Sequence, residues 1–285
     1  MDVVAEGLAF PEGPVVMADG SVIVVEVVGG RITRCWNGRK EVICEIGGGP
    51  NGLAIGPDGA LYVCNNGGMD PATMQSASGP GAQGRIERVD LATGKFERVY
   101  EACDAIALEG PNDIVFDADG RMWFTDLGKA HAGIRTASGL FTCLSDGSSI
   151  TAINRHALSY NGVGLSPDGA TVYVADTHQA RLYRYARKVE AQRPAWVATA
   201  PGPVAFDSLA VTAAGNVCVG TLRKGGITTV TPAGETSFAP FDDRYVTNIA
   251  FGGEDMRDAY LTFSTRGLLV RTRWDEPGLK LNFNA

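Results

Sequence analysis

One short pattern, written six times, constrains this chain more than any other feature. It reads "EGPVVMADGSVIVVE" from Glu12, "NGLAIGPDGALYVCN" from Asn51 and "NDIVFDADGRMWFTD" from Asn112. It continues as "NGVGLSPDGATVYVAD" from Asn161, "DSLAVTAAGNVCVGT" from Asp207 and "TNIAFGGEDMRDAYLTF" from Thr247, where the turn is degenerate. Repeats at such intervals indicate an architecture of stacked or radially arranged units.

Each copy is a short apolar run, a turn ending in Gly, and a second alternating run. Gly supplies the positive φ that such a turn demands, and Val, Ile, Leu, Tyr and Phe suit a pleated, half-buried surface. The intervening segments, such as "GRIERVDLATGKFERVY" and "GGITTVTPAGETSFAP", read as further strands joined by hairpins. No stretch sustains a 3.6-residue apolar period, so helices should be few. Successive first positions lie 39, 61, 49, 46 and 40 residues apart, about one four-stranded sheet each. The spacing predicts an all-β fold: a single domain over residues 1–285, built as a six-bladed β-propeller. The N-terminal "MDVVAEGLAF" should complete the last blade and close the ring, removing exposed sheet edges.

A formal net charge of −7 argues against a nucleic-acid partner. The start lacks a basic segment followed by a long apolar one, so no signal peptide is expected. The most apolar run, "SVIVVEVV", is short and contains Glu26, which excludes a spanning helix and a membrane partner. The six cysteines form no C-x-x-C pair and read as buried free thiols of a cytoplasmic protein. The three histidines, His131, His156 and His178, lack zinc-ligand spacing. Neither a G-x-S-x-G elbow nor a phosphate-binding lysine loop occurs.

In a propeller the first strand of each blade is innermost, and the residue that opens it faces the central channel. Those residues are Glu12, Asn51, Asn112, Asn161, Asp207 and Thr247, all oxygen-bearing. Asn and Asp also favour strand entries as local caps. That explains the amides but not Glu12, nor two carboxylates in one narrow channel, which repel unless a cation lies between them. Oxygen donors without thiolate or imidazole suit a hard divalent cation such as Ca²⁺, Mg²⁺ or Mn²⁺. Zn²⁺ and Fe²⁺ are further candidates.

The motifs "FPEGPV", "GPNDIVFDADG", "NGVGLSPDGATVYVAD" and "FDSLAV", in this order and continuing to "TNIAFGG", carry a resemblance. They resemble the family named for senescence marker protein, gluconolactonase and luciferin-regenerating enzyme. The resemblance implies one divalent metal in the channel, with ligands at Glu12, Asn161 and Asp207 and with Asn112 near the metal or the substrate. It further implies hydrolysis of a lactone, often a sugar lactone, with Asp207 as general base. Several members carry an arginine where this chain has Gly110, two residues before Asn112. The segment "TDLGKAHAGIRTASG" holds Asp126, Lys129, His131 and Arg135; with Asn51 they are the candidate substrate contacts. A second long loop, residues 65–84, reads as a lid or binding loop. The expected partner is a small-molecule substrate, and the expected state a monomer or homodimer. Two other readings stay open: another metal-dependent enzyme on the same scaffold (esterase, phosphotriesterase-like, lyase or hydratase), or a ligand-binding propeller with a structural metal.

Overall fold

Alternating apolar residues fold each repeat copy into the two inner strands of an antiparallel sheet, and the segments between copies supply the outer two. The computed structural model describes residues 1–188 and 193–284, and among these no helix forms. Blade 1 comprises Pro11–Val16, Val22–Glu26, Arg31–Trp36 and Arg39–Cys44. Blade 2 comprises Pro50–Ile55, Leu61–Asn65, Arg85–Val89 and Phe96–Tyr100. Blade 3 comprises Pro111–Phe116, Arg121–Asp126, Ser138–Leu144 and Ile150–Ala157. Blade 4 comprises Tyr160–Leu165, Thr171–Asp176, Arg181–Ala186 and Ala195–Thr199. Blade 5 comprises Ala205–Val211, Val217–Leu222, Gly226–Val230 and Thr236–Pro240. Blade 6 takes Val246–Gly252, Asp258–Phe263 and Leu268–Arg273 from the end of the chain and Asp2–Ala5 from its start. The predicted six-bladed propeller therefore forms, and its clasp is antiparallel, with Asp2 opposite Arg271 and Val3 opposite Val270.

The core is a ring of apolar clusters, each wedged between neighbouring blades. Val25 and Ile32 of blade 1 meet Leu53 and Leu61 of blade 2. Tyr62 and Ile86 of blade 2 meet Phe116 and Phe124 of blade 3. The pattern continues around the circle until Tyr260 and Leu269 of blade 6 meet Val22 and Val24 of blade 1, with Ala5 of the clasp buried beside them. Closing the ring buries the last two faces against each other, so no blade is left with an open apolar side.

The turn within each copy has one geometry. Gly20, Gly59, Gly120, Gly169 and Gly215 all have φ between 65° and 86°. The backbone N–H of each donates to the carbonyl three residues earlier. The degenerate sixth copy makes the same bond, from Met256 to Gly253, with Met256 itself at φ 57°. A non-glycine residue adopts this conformation at an energetic cost, which explains why its sequence signal is weak.

Each innermost strand also carries one residue more than its partner. Pro111 stands opposite Asp126, but Ile114 stands opposite Phe124. The same excess recurs between Glu12 and Val15, Pro50 and Leu53, Tyr160 and Val163, Phe206 and Leu209, and Val246 and Asn248. A bulge of this kind turns a side chain out of the pleat. Here all six fall at the first positions, where the strands converge on the axis. Convergence leaves little room: a Cβ on Gly52 would lie 2.6 Å from the Asn112 carbonyl oxygen, and one on Gly162 2.7 Å from that of Asp207.

Below the first positions the channel widens into a cavity of about 1050 Å³ lined by Leu53, Ile114, Val163, Leu209 and Ile249. The C-terminal segment lies across this far end. Leu279 N donates to Val211 O at 2.9 Å, Asn282 Nδ2 donates to Phe116 O at 3.0 Å, and Phe283 packs edge-on against Phe116.

Two consequences are measurable. Gly52→Ala should destabilise the protein by about 1–3 kcal/mol, because the added methyl meets backbone that cannot yield. Unchanged denaturation would mean that the inner strands do not approach this closely. All six cysteines are free and buried, and burial pushes the Cys35 and Cys218 thiols up to about 12. A thiol reagent at neutral pH should therefore label the native protein at least about tenfold more slowly than the denatured one; fast labelling of several thiols would contradict this packing.

Candidate metal centre

The bulges bring carboxylates and amides from five blades to one mouth of the channel. Glu12, entering blade 1, is 3% exposed. Its Oε2 accepts bonds from Gly13 N and from Asn248 Nδ2, both at 2.9 Å. Its Oε1 is buried and has no partner. Asn112, entering blade 3, is 4% exposed, and its Oδ1 is likewise buried without a partner. Among the described residues these are the only two such side-chain atoms. A buried acceptor left unpaired costs free energy, of order 1–3 kcal/mol, so two together call for a ligand.

Electrostatics point the same way. Burial raises the Asp207 carboxyl well above its ordinary range; the charge on Glu12 raises it further, while the Asn161 amide pulls it back. Glu12 is raised mainly by burial, with the nearby Thr247 hydroxyl and the bonds from Asn248 and Gly13 opposing. Two carboxyls that disfavour each other's ionisation in one enclosed channel are stabilised as anions by a cation between them. Asn161 enters blade 4; its Nδ2 donates to Thr177 Oγ1 at 3.1 Å and its Oδ1 faces Ser208 Oγ at 3.5 Å. The donor groups that fit a hard divalent cation are thus the carboxylates of Glu12 and Asp207 and the amide oxygens of Asn161 and Asn112. Carboxylates alone do not suffice: among the described residues no three His, Cys, Asp or Glu side chains form a metal-holding group.

The remaining first positions differ. Asn51 is half-buried and makes no side-chain hydrogen bond among the described residues. Thr247 is spent in a hydroxyl network with Thr262 Oγ1 at 2.8 Å and Ser264 Oγ at 2.7 Å, and Ser264 ties blade 6 to Pro11 O of blade 1.

Three polar residues of the channel went unremarked in the sequence, and all follow a first position. Asp113 accepts bonds from Val163 N of blade 4 at 3.1 Å and from Ile114 N at 2.9 Å. Burial raises its carboxyl to about 7, with the charge on Glu12 adding to the rise. Ser208 and Asn248 orient Asn161 and Glu12. The signal that could have found them is the residue after each first position, which reads Gly13, Gly52, Asp113, Gly162, Ser208, Asn248. Where it is Gly, the adjacent blade's main chain fills the space; where it is polar, a side chain bonds across the blade boundary.

Of the loop candidates, two are committed elsewhere. Asp126 accepts backbone bonds from Glu109, Gly110 and Gly128 at 2.8–2.9 Å, so its carboxylate clamps the loop rather than meeting substrate. Lys129 is buried and donates to Asn66 O at 2.6 Å and Ala82 O at 2.5 Å, pinning the 65–84 loop to blade 3. That loop is built, not merely long: it carries the short ladder Met69–Asp70 with Gln75–Ser76, and Ser76 Oγ accepts from Ala130 N at 3.0 Å. His131 is half-buried and Arg135 exposed in a second small hairpin, Ala130–His131 with Ile134–Arg135. Gly110 cannot carry a side chain here, because a Cβ would lie 2.5 Å from Gly128 O.

Known proteins share this sequence pattern and this fold. The family profile described as the SMP-30/Gluconolactonase/LRE-like region matches residues 10–265. A gluconolactonase of Zymomonas mobilis is 25% identical over 202 residues, covering 63% of this chain and 52% of that protein. Lactonase drp35 of Staphylococcus saprophyticus is 28% identical over 192 residues, covering 63% and 50%. The chain thus spans about half the length of these curated relatives. A gluconolactonase structure from Xanthomonas campestris shares the fold, with a TM-score of 0.76, 21% identity and coverage of 94% and 86%. By its profile match, its motif order and its closed ring of blades, this chain belongs to the SMP-30/gluconolactonase/LRE-like family.

Proposed function

We propose that this protein is a divalent-metal-dependent lactonase that opens the ester ring of a small lactone, a sugar lactone being the leading class. The observation that carries the reading is the pair of orphaned buried oxygens, Glu12 Oε1 and Asn112 Oδ1, beside two mutually repelling carboxyls. Relatives named gluconolactonase and lactonase support the choice of reaction.

In this reading Glu12, Asn161 and Asp207 hold the metal and Asn112 completes the set or meets the substrate. When bound, a divalent cation supplies positive charge that stabilises the oxyanion developing on the ring carbonyl. The chain's own residues do the rest. Asn248 and Gly13 N fix the Glu12 carboxylate in one orientation, and Ser208 and Thr177 fix the Asn161 amide. Asp207, half-buried and the more exposed of the two carboxylates at the site, takes the proton of the attacking water as the new C–O bond forms. Collapse of the tetrahedral adduct breaks the ring C–O bond, and that proton returns to the departing alkoxide. The product is a hydroxy acid.

Acid release from a panel of neutral lactones tests the reading. Chelator should abolish turnover and added divalent metal restore it. Asp207→Asn should lower kcat about 10²–10⁴-fold, as expected for loss of a general base. Full turnover in chelator, or by Asp207→Asn, would contradict it. Independently of turnover, saturating metal should raise the Tm, by about 2.7 kcal/mol of added stability at 100 times Kd. Glu12→Gln should lose most of that rise. Metal-induced stabilisation without hydrolysis of any lactone would instead indicate another chemistry or a binding role.

A further inference from the structure

Beyond the ring of first positions, the same mouth carries basic side chains that form no ion pair among the described residues. Strands within a blade are antiparallel, so the connection between second and third strands lies at the same end as the start of the first. Arg135 sits in that connection of blade 3, His178 in that of blade 4 and Arg223 in that of blade 5. These are the blades entered through Asn112, Asn161 and Asp207.

None of the three side chains makes a hydrogen bond or ion pair among the described residues. Elsewhere Arg31, Arg85 and Arg187 each have a carboxylate partner within 2.9 Å. His178 also lies within electrostatic reach of both arginines. Burial first, and then the charges of Arg135 and Arg223, disfavour the protonated imidazole of His178. The charge on Asp176 acts on both His178 and the exposed Arg135, but its oxygens already accept from Ser159 N, Ser159 Oγ and Gln179 N. Arg223 is held with φ at 74°, a left-handed conformation that a non-glycine residue adopts at a cost, and its N–H is fixed by Arg244 O at 2.8 Å. In a chain of net charge −7, these cationic side chains at the mouth of an acidic channel concentrate anions there.

We propose that Arg135 and Arg223, with His178 in reach of both, select a lactone whose ring bears an oxyanion group, a carboxylate or a phosphate. The inference rests on the lactonase reading for its reaction, but the anion site itself does not. Guanidinium groups suit either oxyanion because their planar donors can engage two oxygens at once. A neutral lactone offers them hydroxyl acceptors but no opposite charge, whereas an anionic one gains charge-assisted contacts.

The test compares three substrates on one ring, neutral, carboxylate-bearing and phosphate-bearing, with the metal-loaded full chain. One anionic lactone should exceed the neutral one in kcat/KM by about tenfold or more at low salt, and the advantage should shrink as salt screens exposed charge. Whichever anion wins identifies the group. The double variant Arg135→Gln/Arg223→Gln should bring the ratio close to one, and Arg135→Glu/Arg223→Glu should invert it. Equal kcat/KM for all three lactones, or a ratio untouched by the double variant, would overturn the proposal. If no lactone is hydrolysed, the lactonase reading fails, and calorimetric binding of a hydroxy-dicarboxylate and of a sugar phosphate judges the anion site alone. Binding lost in the double variant upholds the site; no binding to the native protein, or equal binding to both, overturns it.

Discussion

Six inner strands meeting around one axis each carry a single surplus residue at the same level, and that surplus governs what the rest of the molecule can do. A regular strand would send its side chains alternately into the two inter-blade clusters. The bulge breaks the alternation once per blade and turns a polar group toward the axis instead. Glycine at three of the six following positions lets the neighbouring main chains close to within a few ångströms. Tight closure excludes water from the groups at the axis, and that burial raises the affinity of Glu12 and Asp207 for protons, with the charge on Glu12 raising Asp207 further.

The arrangement explains why the supporting residues matter as much as the donors. Asn248 reaches from blade 6 to Glu12 in blade 1, and Ser208 from blade 5 to Asn161 in blade 4. Asp113 reaches from blade 3 to the backbone of blade 4. Each bond crosses a blade boundary, so the geometry of the donors depends on closure of the whole ring. The clasp formed by Asp2–Ala5 is therefore coupled to the site although it lies at the rim. Around the mouth, Lys129 locks the 65–84 loop to blade 3, so the walls above the donors are packed structure.

Much of this was legible in the sequence, for a physical reason. A pattern repeated in phase reports strand, turn and register at once, and the six first positions follow by counting. The clasp was legible too, since the last interval is completed only by residues before Glu12. What escaped was whatever depends on contacts between copies. Asp113 follows a first position and carried no signal of its own; it is a buried carboxyl bonded to the next blade. Asp126 and Lys129 were candidate substrate contacts by their place in a loop near Gly110; backbone N–H groups bond the one and backbone carbonyls accept from the other. Met256 hid the sixth turn because left-handed geometry was expected from glycine alone. Arg223 and His178 belong to turns that carry no motif; only the ring brings His178 within reach of both Arg223 and Arg135.

In the proposed function, oxygens from separate blades share one cation at the axis, and anomalous scattering from crystals soaked in Mn²⁺ would locate it. One strong peak should stand in the channel, about 2.0–2.6 Å from oxygens of Glu12, Asn161 and Asp207. A peak bound elsewhere, or none at saturating metal, would refute a shared axial cation.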